Sequence, residues 1–572
     1  MHSRPTANSQ ILKVLAVVSL AAILLGYHGW RLVGHSALDS AYDALKSINM
    51  GSNYDRLDQP GSGNIYLELA RWLGIFVEFS ALTFLFTSIF SEQWTLLTAR
   101  LLIKGHIIVI GDTEFADRFG EVEESSVIHL RNLVDPVEQV GRLIRLPFRG
   151  RVEESFRNAA VDRARAVLVA TEDDARTISL AIAASRRVTA GDRQVQVLAR
   201  LHDYWLAQRL HNLPDAQLVQ AVSEPALAAR DAMRRHPAFL DAHDQGAEHI
   251  HVLMFGEPDW LEAMMTEIIL TAGTTRYGKP MMTLGCGQVA AFRSRLGERY
   301  PELAEEVELR FVELGTPHPW ELTDFHLSRL PGPRVTGAYF LFPQEANSIS
   351  CYLAFLGQAG AMPDFKAPTF VLTDSYEFVT PPSGSALRPL QPVPFGARRQ
   401  IVAACGLLSG TAGLTEQVYH DAYLGFAPRE AAASKPWFQL SEEYRIANRR
   451  AVAHIFAKLF DAGFDLRGWM ERHDVWSALP ALNEGESLYR DAEERERLSV
   501  LEHQRWSRDR RLNGWRYGEK RDEVRKLHPD LRPYDELSEP IKDFDRKFID
   551  LLDSILPRRP GGMRRRTEGI NV

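Results

Sequence analysis

The sequence predicts a multidomain chain: two transmembrane α-helices, tandem doubly wound α/β units and a small α-helical C-terminal module. Three observations predict it. Two long apolar runs stand near the N-terminus. Strand-like apolar runs then alternate with helical stretches from about residue 105 onward. Last comes LNGWRYGEKRDEVRKLHPDLRPYDEL (512–537), too polar for a core strand and too rich in large aromatics for a linker.

The apolar runs, about 11–30 and 66–90 within a region 1–100, are ILKVLAVVSLAAILLGYHGW and the stretch holding WLGIFVEFSALTFLFTSIF. A bilayer core about 30 Å thick needs roughly 20 helical residues, so each can span it. The first run also suits a signal peptide, because Arg4 and Lys13 precede it; no A-x-A site comes before its aromatic end, which favours an anchor. Arg100 and Lys104 follow the second run. The positive-inside rule then places both termini in the cytoplasm and residues 31–63 outside. The expected location is a bacterial inner membrane, multi-pass, with the lipid bilayer as partner.

HSALDSAYDALKSI, between the spans, has helical spacing, with Ala37, Ala41 and Leu45 on one face. A breaker-rich loop follows. Span, short helix, loop, span resembles the protomer of two-helix potassium channels. That resemblance implies a symmetric homo-oligomer, a tetramer, with the second span lining a pore. The family's filter is a T-V-G-Y-G-like run whose carbonyls replace the ion's water. Here the run is INMGSNYD, in which Gly51 and Tyr54 only echo it. Glu78 lies inside the second apolar run, where a carboxylate needs protein or water beside it. Arg71, Gly74, Glu78 and Ala81 fall on one face, expected to look toward a water path, with Gly74 as a flex point; a helix-packed glutamate is the alternative.

Composition excludes several classes. The formal charge of −7 speaks against binding nucleic acid by bulk charge. The basic end 557–572 is expected to be a flexible, solvated tail. Cys286, Cys351 and Cys405 show neither C-x-x-C spacing nor clustered histidines, so no metal site or disulfide framework is expected.

GHIIVIGDTEFADRF, SSVIHL, ARAVLVATEDDARTISLAIAA, QVQVLARL and AQLVQAV alternate strand and helix, the pattern of a parallel doubly wound sheet. Residues 101–245 resemble the RCK or TrkA-N family, cytosolic domains that regulate potassium conductance. The resemblance implies a nucleotide or ion in the sheet's crevice. The residues there depart from the dinucleotide pattern G-x-G-x-x-G. Gly111 is kept, but Thr113 and Ala116 replace the later glycines. The second strand ends at His129-Leu130-Arg131 instead of in an acid, and Arg151 stands in place of the family's aspartate. With Thr171 these residues form a degenerate nucleotide crevice in which NAD is not expected. Residues 246–414 repeat the pattern with EHIHVLMFGEPDW, KPMMTLGCG, EVELRFVEL, VTGAYFLFPQ and APTFVLTD; Pro258 removes a backbone donor from any anion nest there.

Residues 415–490 read as a helical connector, with Val452, Ile455, Phe456, Leu459 and Phe460 at one-face spacing. Residues 491–556, with LEHQRW and NGWRYGEKRDEVRKLHPDLRPYDEL, closely resemble the RyR domain of ryanodine receptors and bacterial proteins. The resemblance implies sensing of nucleotide signals, and the residues suit it. Aromatic faces stack bases, and arginine or lysine beside them binds phosphate. The candidates are Trp506, Trp515, Tyr517, Arg521, Lys526, His528 and Tyr534. The aromatics equally suit a small core, whereas Arg521, Lys526 and His528 carry charge that packing does not need.

These readings combine into a ligand-gated ion channel or pore effector whose cytosolic part senses a small nucleotide-type ligand. A role in antiphage signalling enters only by analogy with RyR-bearing conflict systems. The alternatives are a non-conducting membrane-anchored sensor or scaffold, and an NAD-dependent oxidoreductase. No nucleophile, metal cluster or oxyanion device accompanies Glu502 and His503, so an enzyme is not expected.

Overall fold

The computed structural model describes residues 7–46, 64–117, 126–132, 138–140, 142–148, 151–189, 195–315, 318–323, 325–362, 364–374, 391–397, 414–425, 434–473, 475 and 479–566. Gly51, Tyr54 and Cys405 lie outside them. The chain divides into two compact units, Met1–Leu102 and Ile103–Val572.

The first unit is a helical hairpin: α1 (Ala7–Val33), the short α2 (Ala37–Lys46) and α3 (Ile65–Leu101). Lys13–Val33 and Ile65–Phe86 are long and apolar enough to cross a membrane. α1 and α3 approach closely at Gly29, where an added Cβ would lie 2.7 Å from the Leu67 side chain. Asn64 fixes that end of the hairpin. Its side chain accepts from Tyr66 N at 3.1 Å, capping α3, and donates to Gly29 O at 2.9 Å. Leu67, Ala70, Gly74 and Val77 are buried, while Trp72, Phe76, Phe79 and Leu82 remain exposed. A helix pair apolar on its outer faces as well as its seam suits a lipid surround.

α2 forms where the helical spacing placed it and buries Ser40 and Ala44, while Ala37, Ala41 and Leu45 share a more exposed face. Gly74 joins the buried stripe at i, i+3, i+7, i+10 from Leu67. Arg71, Gly74, Glu78 and Ala81 stand at i, i+3, i+7 and i+10 on one face of α3, with Gly74 buried, Glu78 half-exposed, and Arg71 and Ala81 exposed. The buried stripe selects small residues where the two helices meet.

The second unit opens with a seven-stranded sheet: β1 (Ile107–Ile110), β2 (Val127–Arg131), β3 (Glu138–Val140), β4 (Leu143–Pro147), β5 (Ala166–Val169), β6 (Gln196–Arg200) and β7 (Val219–Val222). The order is β3-β4-β2-β1-β5-β6-β7, parallel except for the edge strand β3. Its helices are α4 (Val152–Asn158), α5 (Asp174–Thr189), α6 (Tyr204–Arg209) and α7 (Glu224–Arg235), and α8 (Ala238–Asp244) leads onward. β1 and β5 are continuous apolar runs buried on both faces, as parallel strands between helix layers must be.

The second sheet has β8 (His251–Gly256), β9 (Met281–Cys286), β10 (Glu308–Glu313), β11 (Gly337–Leu341), β12 (Thr369–Leu372) and β13 (Val393–Phe395). Its order, β10-β9-β8-β11-β12-β13, is all parallel and equals 3-2-1-4-5-6 within the unit, the doubly wound Rossmann order. α9 (Pro258–Thr271), α10 (Val289–Arg299), α11 (Leu303–Glu306) and α12 (Glu345–Ala359) belong to it. Strand residues alternate between two cores. Leu253, Phe255, Ala338 and Phe340 face one; Val252, Met254, Tyr339 and Leu341 face the other.

The second of these cores extends into the C-terminal third of the chain. The connector helices α13 (Leu414–Tyr423), α14 (Glu442–Ala453), α15 (Ile455–Asp461) and α16 (Leu466–Met470) supply Val452, Ile455, Phe456, Leu459 and Phe460, the stripe read from their spacing. α17 (Ala492–Leu512) and α18 (Glu539–Ile555) add Leu498, Leu512, Ile549 and Leu552 to the same core. Between α17 and α18 the two-residue strands β14 (Arg516–Tyr517) and β15 (Leu527–His528) pair with each other.

The expectation of a solvated tail from residue 557 is corrected for its described part. Met563 is buried and bridges to Leu482, and Arg565 bridges to Phe464. Asp465 N donates to Arg564 O at 3.0 Å, and Arg566 N to Gly463 O at 2.7 Å. Backbone pairing of this kind depends little on side-chain type, so a basic composition does not exclude it.

Candidate functional site

Five of the six residues assigned to the degenerate crevice come together above β1 and β5. Gly111 has φ +136°, and a Cβ there would lie 1.9 Å from Ala170 O. The glycine therefore serves a close backbone crossing. Thr113 Oγ1 donates to Ala170 O at 3.0 Å and accepts from Ala116 N at 3.2 Å. His129 Nε2 donates to Gly111 O at 2.7 Å; burial lowers its pKa, and that hydrogen bond opposes the shift. Thr171 Oγ1 donates to Asp173 O at 2.8 Å, and Thr171 N donates to Thr177 Oγ1 at 3.1 Å. The Asp112 carboxylate accepts from Asn132 Nδ2 at 2.8 Å and from Arg131 Nε at 3.4 Å. Arg151 stands apart in role, exposed at the N-cap of α4. A pyrophosphate entering here would have to displace these bonds and face the Asp112 carboxylate. The second sheet is closed in the same way. A Cβ on Gly256 would lie 2.4 Å from Leu341 O, and Glu257 N donates to that carbonyl at 3.2 Å.

The C-terminal module is built around α17. Its N-cap Asp491 accepts from Glu493 N and Glu494 N. Gly514, at φ +81°, ends it in the left-handed conformation, and Trp515 N donates back to Arg510 O at 3.0 Å. The seven candidate residues then divide. Trp515, Tyr534 and His528 are buried. The Trp515 ring lies 5.3 Å from the Arg510 guanidinium carbon and 6.0 Å from that of Arg521. Tyr534 donates its hydroxyl to Glu496 at 3.1 Å. His528 Nδ1 accepts from Asp530 N at 3.2 Å, and burial lowers its pKa. Trp506 is half-buried, edge-on to His528 with centroids 4.9 Å apart. Tyr517 and Arg521 lie on the surface. Tyr517 is 49% exposed and accepts from Arg532 Nη2 at 3.0 Å, and Arg521 pairs with Glu523 at 2.6 Å.

Lys526 corrects the idea that the module's cations are spare. It sits at φ +55°, and its ammonium donates to Asn513 O at 2.9 Å, tying the loop to the end of α17. Burial lowers its pKa, and Arg209 nearby lowers it further. His528 likewise takes part in the packing.

Sequence reasoning missed the ionic frame on the inner face of α17. Lys458 of α15 pairs with Glu502 at 2.8 Å, and Arg505 pairs with Glu502 at 2.7 Å. All three are buried. Burial pushes the Glu502 carboxyl up, but Arg505 and Lys458 more than reverse this and hold it down at about 2. His454 accepts at Nδ1 from Lys458 Nζ at 3.2 Å and donates from Nε2 to Gly273 O at 3.0 Å. Burial and the Lys458 charge drive its pKa well below the ordinary value. Arg450 of α14 pairs with Asp509. Arg508 and Arg511 pair with Glu306 of α11. Arg209, from α6 of the first sheet, donates to Asn513 O at 3.1 Å. The available signal was the density of charge on a helix that also carries Leu498 and Leu501 at core spacing.

A cavity of about 410 Å³ opens beside α17, lined by Glu306, His503, Gln504, Ser507, Arg508, Arg511 and the turn Arg532–Asp535. Guanidinium groups outnumber carboxylates in its wall. Among the described residues no cluster of three or more His, Cys, Asp or Glu side chains could hold a metal ion.

Comparison with known proteins agrees with this module. Residues 487–556 match the family model of the RyR domain, so the chain carries a RyR domain at its C-terminal end. Among solved structures, the chain is similar to the GsuK channel and to GsuK bound to ADP, each with TM-score 0.35 and 14% identity, covering 70% of this chain and 97% of theirs. A mutant GsuK gives TM-score 0.34 with the same identity and coverage. A search of curated proteins returns no match.

Proposed function

We propose that the chain is a subunit of a ligand-gated membrane pore, assembled as a homotetramer in a bacterial inner membrane with both termini in the cytoplasm. Its RyR domain receives a small nucleotide-type signal. In this reading the Rossmann-like sheets transmit the signal, hold no NAD and catalyse no reaction. One observation carries the proposal: α17 is held by buried charge to the connector and the second sheet, and by Arg209 to the first. A ligand that favours one arrangement of α17 therefore acts on both sheets, as coupling between sites requires.

Nucleotide-library thermal shift on the full-length protein comes first, because a ligand that binds the folded state stabilises it by mass action. Ion flux in liposomes with each stabilising nucleotide comes second. The pore reading expects ligand-dependent flux that Glu78→Gln alters. A stabilising nucleotide without flux would leave the non-conducting sensor, which the departure of INMGSNYD from a potassium filter favours. Failure of every nucleotide to stabilise the protein would remove the sensing role.

A further inference from the structure

Arg508 and Arg511 grip Glu306 one oxygen each. Arg508 Nε donates to Oε2 at 3.1 Å, and Arg511 Nη1 donates to Oε1. Arg511 also reaches Glu302 at 3.2 Å. Glu306 is buried, and it lies in the wall of the 410 Å³ cavity beside α17. Arg508 Nη1 is buried against Gly273 and has no hydrogen-bond partner among the described residues, so the Glu306 contact is made through Nε. Two guanidinium groups across two oxygens of one anion is the arrangement that also binds a phosphoryl group. The rest of the cavity suits the remainder of a nucleotide. Pro533 offers an exposed apolar surface for a base, backed by the buried His503 and Tyr534, and the exposed Gln504 offers a polar contact. Arg532 and Asp535 also line the cavity, the Arg532 guanidinium donating to Pro529 O at 2.8 Å and to the Tyr517 hydroxyl at 3.0 Å.

We propose that this cleft is where the RyR domain receives its signal, and that it takes a phosphate-bearing nucleotide whose phosphoryl oxygens replace Glu306 on Arg508 and Arg511. This rests on the sensing role above and adds its place and its switch. Glu306 is an internal anion that keeps the site shut. α11 ends at Glu306, and β10 begins at Glu308, so a displaced Glu306 loosens the second sheet's hold on α17. The ligand's charge is thereby converted into the loss of one contact between the RyR domain and a sheet.

The test uses full-length protein in detergent, with ADP and inorganic pyrophosphate as probes in titration calorimetry. Both probes should bind. Glu306→Gln should tighten both by about tenfold, because the internal competitor loses its charge. Gln504→Glu, at an exposed position that folding does not need, should weaken both by about tenfold. Amide hydrogen exchange over residues 303–307 should rise when ADP is added, and should already be raised in Glu306→Gln. Pyrophosphate binding without ADP binding would overturn the nucleotide class. Affinities indifferent to both substitutions would overturn the cleft; if Arg521→Ala then abolished binding, reception would move to the outer face of β14 and β15 and the sensing role would stand. Absence of binding to Glu306→Gln at millimolar probe would overturn the site, and only the failure of a wider nucleotide library would remove sensing with it.

Discussion

The crevice over β1 and the frame around α17 are both lined by His, Arg and acidic side chains, yet they are built oppositely. In the crevice, hydroxyls and carbonyls close to one another in the fold satisfy each other: Thr113 with Ala170, His129 with Gly111, Thr171 with Asp173. Hydroxyl, imidazole and backbone groups bonded to one another fill the space where a dinucleotide would lie, with the Asp112 carboxylate at its edge. Around α17 the partners are charged side chains paired with one another, Lys458 with Glu502 and Glu306 with Arg508 and Arg511. A pocket bonded to itself and edged by a carboxylate has little to offer an incoming phosphate. A carboxylate shared between two arginines is an anion that another anion can replace.

The difference is broken most severely at Glu502. Glu502→Ala leaves two buried cations facing each other and should cost about 3–5 kcal/mol in thermal unfolding, since removing one partner of a buried pair strands the other charge. An unchanged melting temperature would show that water reaches this frame. On the crevice side, Gly111→Ala should cost about 2–4 kcal/mol through its positive φ and the collision with Ala170 O. Nucleotide-induced stabilisation should persist in whatever fraction still folds. If it vanished, reception would belong to the crevice.

Acid sharpens the comparison next. His454 is buried and neutral, so unfolding lets it take up a proton below its ordinary pKa of 6.5. The unfolded state then binds more protons, and stability falls as pH falls, by roughly 1.4 kcal/mol per pH unit for this residue. His211 and His236, lowered by burial to about 4, act in the same direction between pH 6.5 and 4. Asp241, raised by burial to about 6, acts in the opposite direction. His454→Gln should therefore flatten the pH dependence of unfolding by about one proton's slope. An unaltered slope would mean that His454 is already protonated in the folded protein.

The smallest effects separate two cations of the RyR domain. Lys526→Ala loses the bond to Asn513 O and should cost about 1 kcal/mol. Arg521→Ala loses only an exposed pair with Glu523 and should change stability by less than about 0.5 kcal/mol. Equal losses would place Arg521 in the packing as well.

The sheets were legible because parallel strands buried on both faces must be apolar runs, and IIVI and AVLV are such runs. β4 was less so, because LIRLP is a five-residue run broken by Arg145 and closed by Pro147, too short for its alternation to stand out. The RyR domain was legible as an ordered pattern, and Gly514 as the end of its helix. The ionic frame was illegible because Lys458 and Glu502 are 44 residues apart, and nothing local marks a charge that will be buried.

The sequence by itself determined two apolar helices, two doubly wound sheets, the loss of the glycine fingerprint and the identity of the last domain. Each of these is written in local period, composition or short-range pattern. Tertiary structure alone decided that Lys526 caps a helix, that the basic stretch 557–566 is packed, and that Glu306 meets Arg508 and Arg511 across the cleft. The physical reason is that a charge acts according to the partner the fold brings to it, and burial makes that partnership strong.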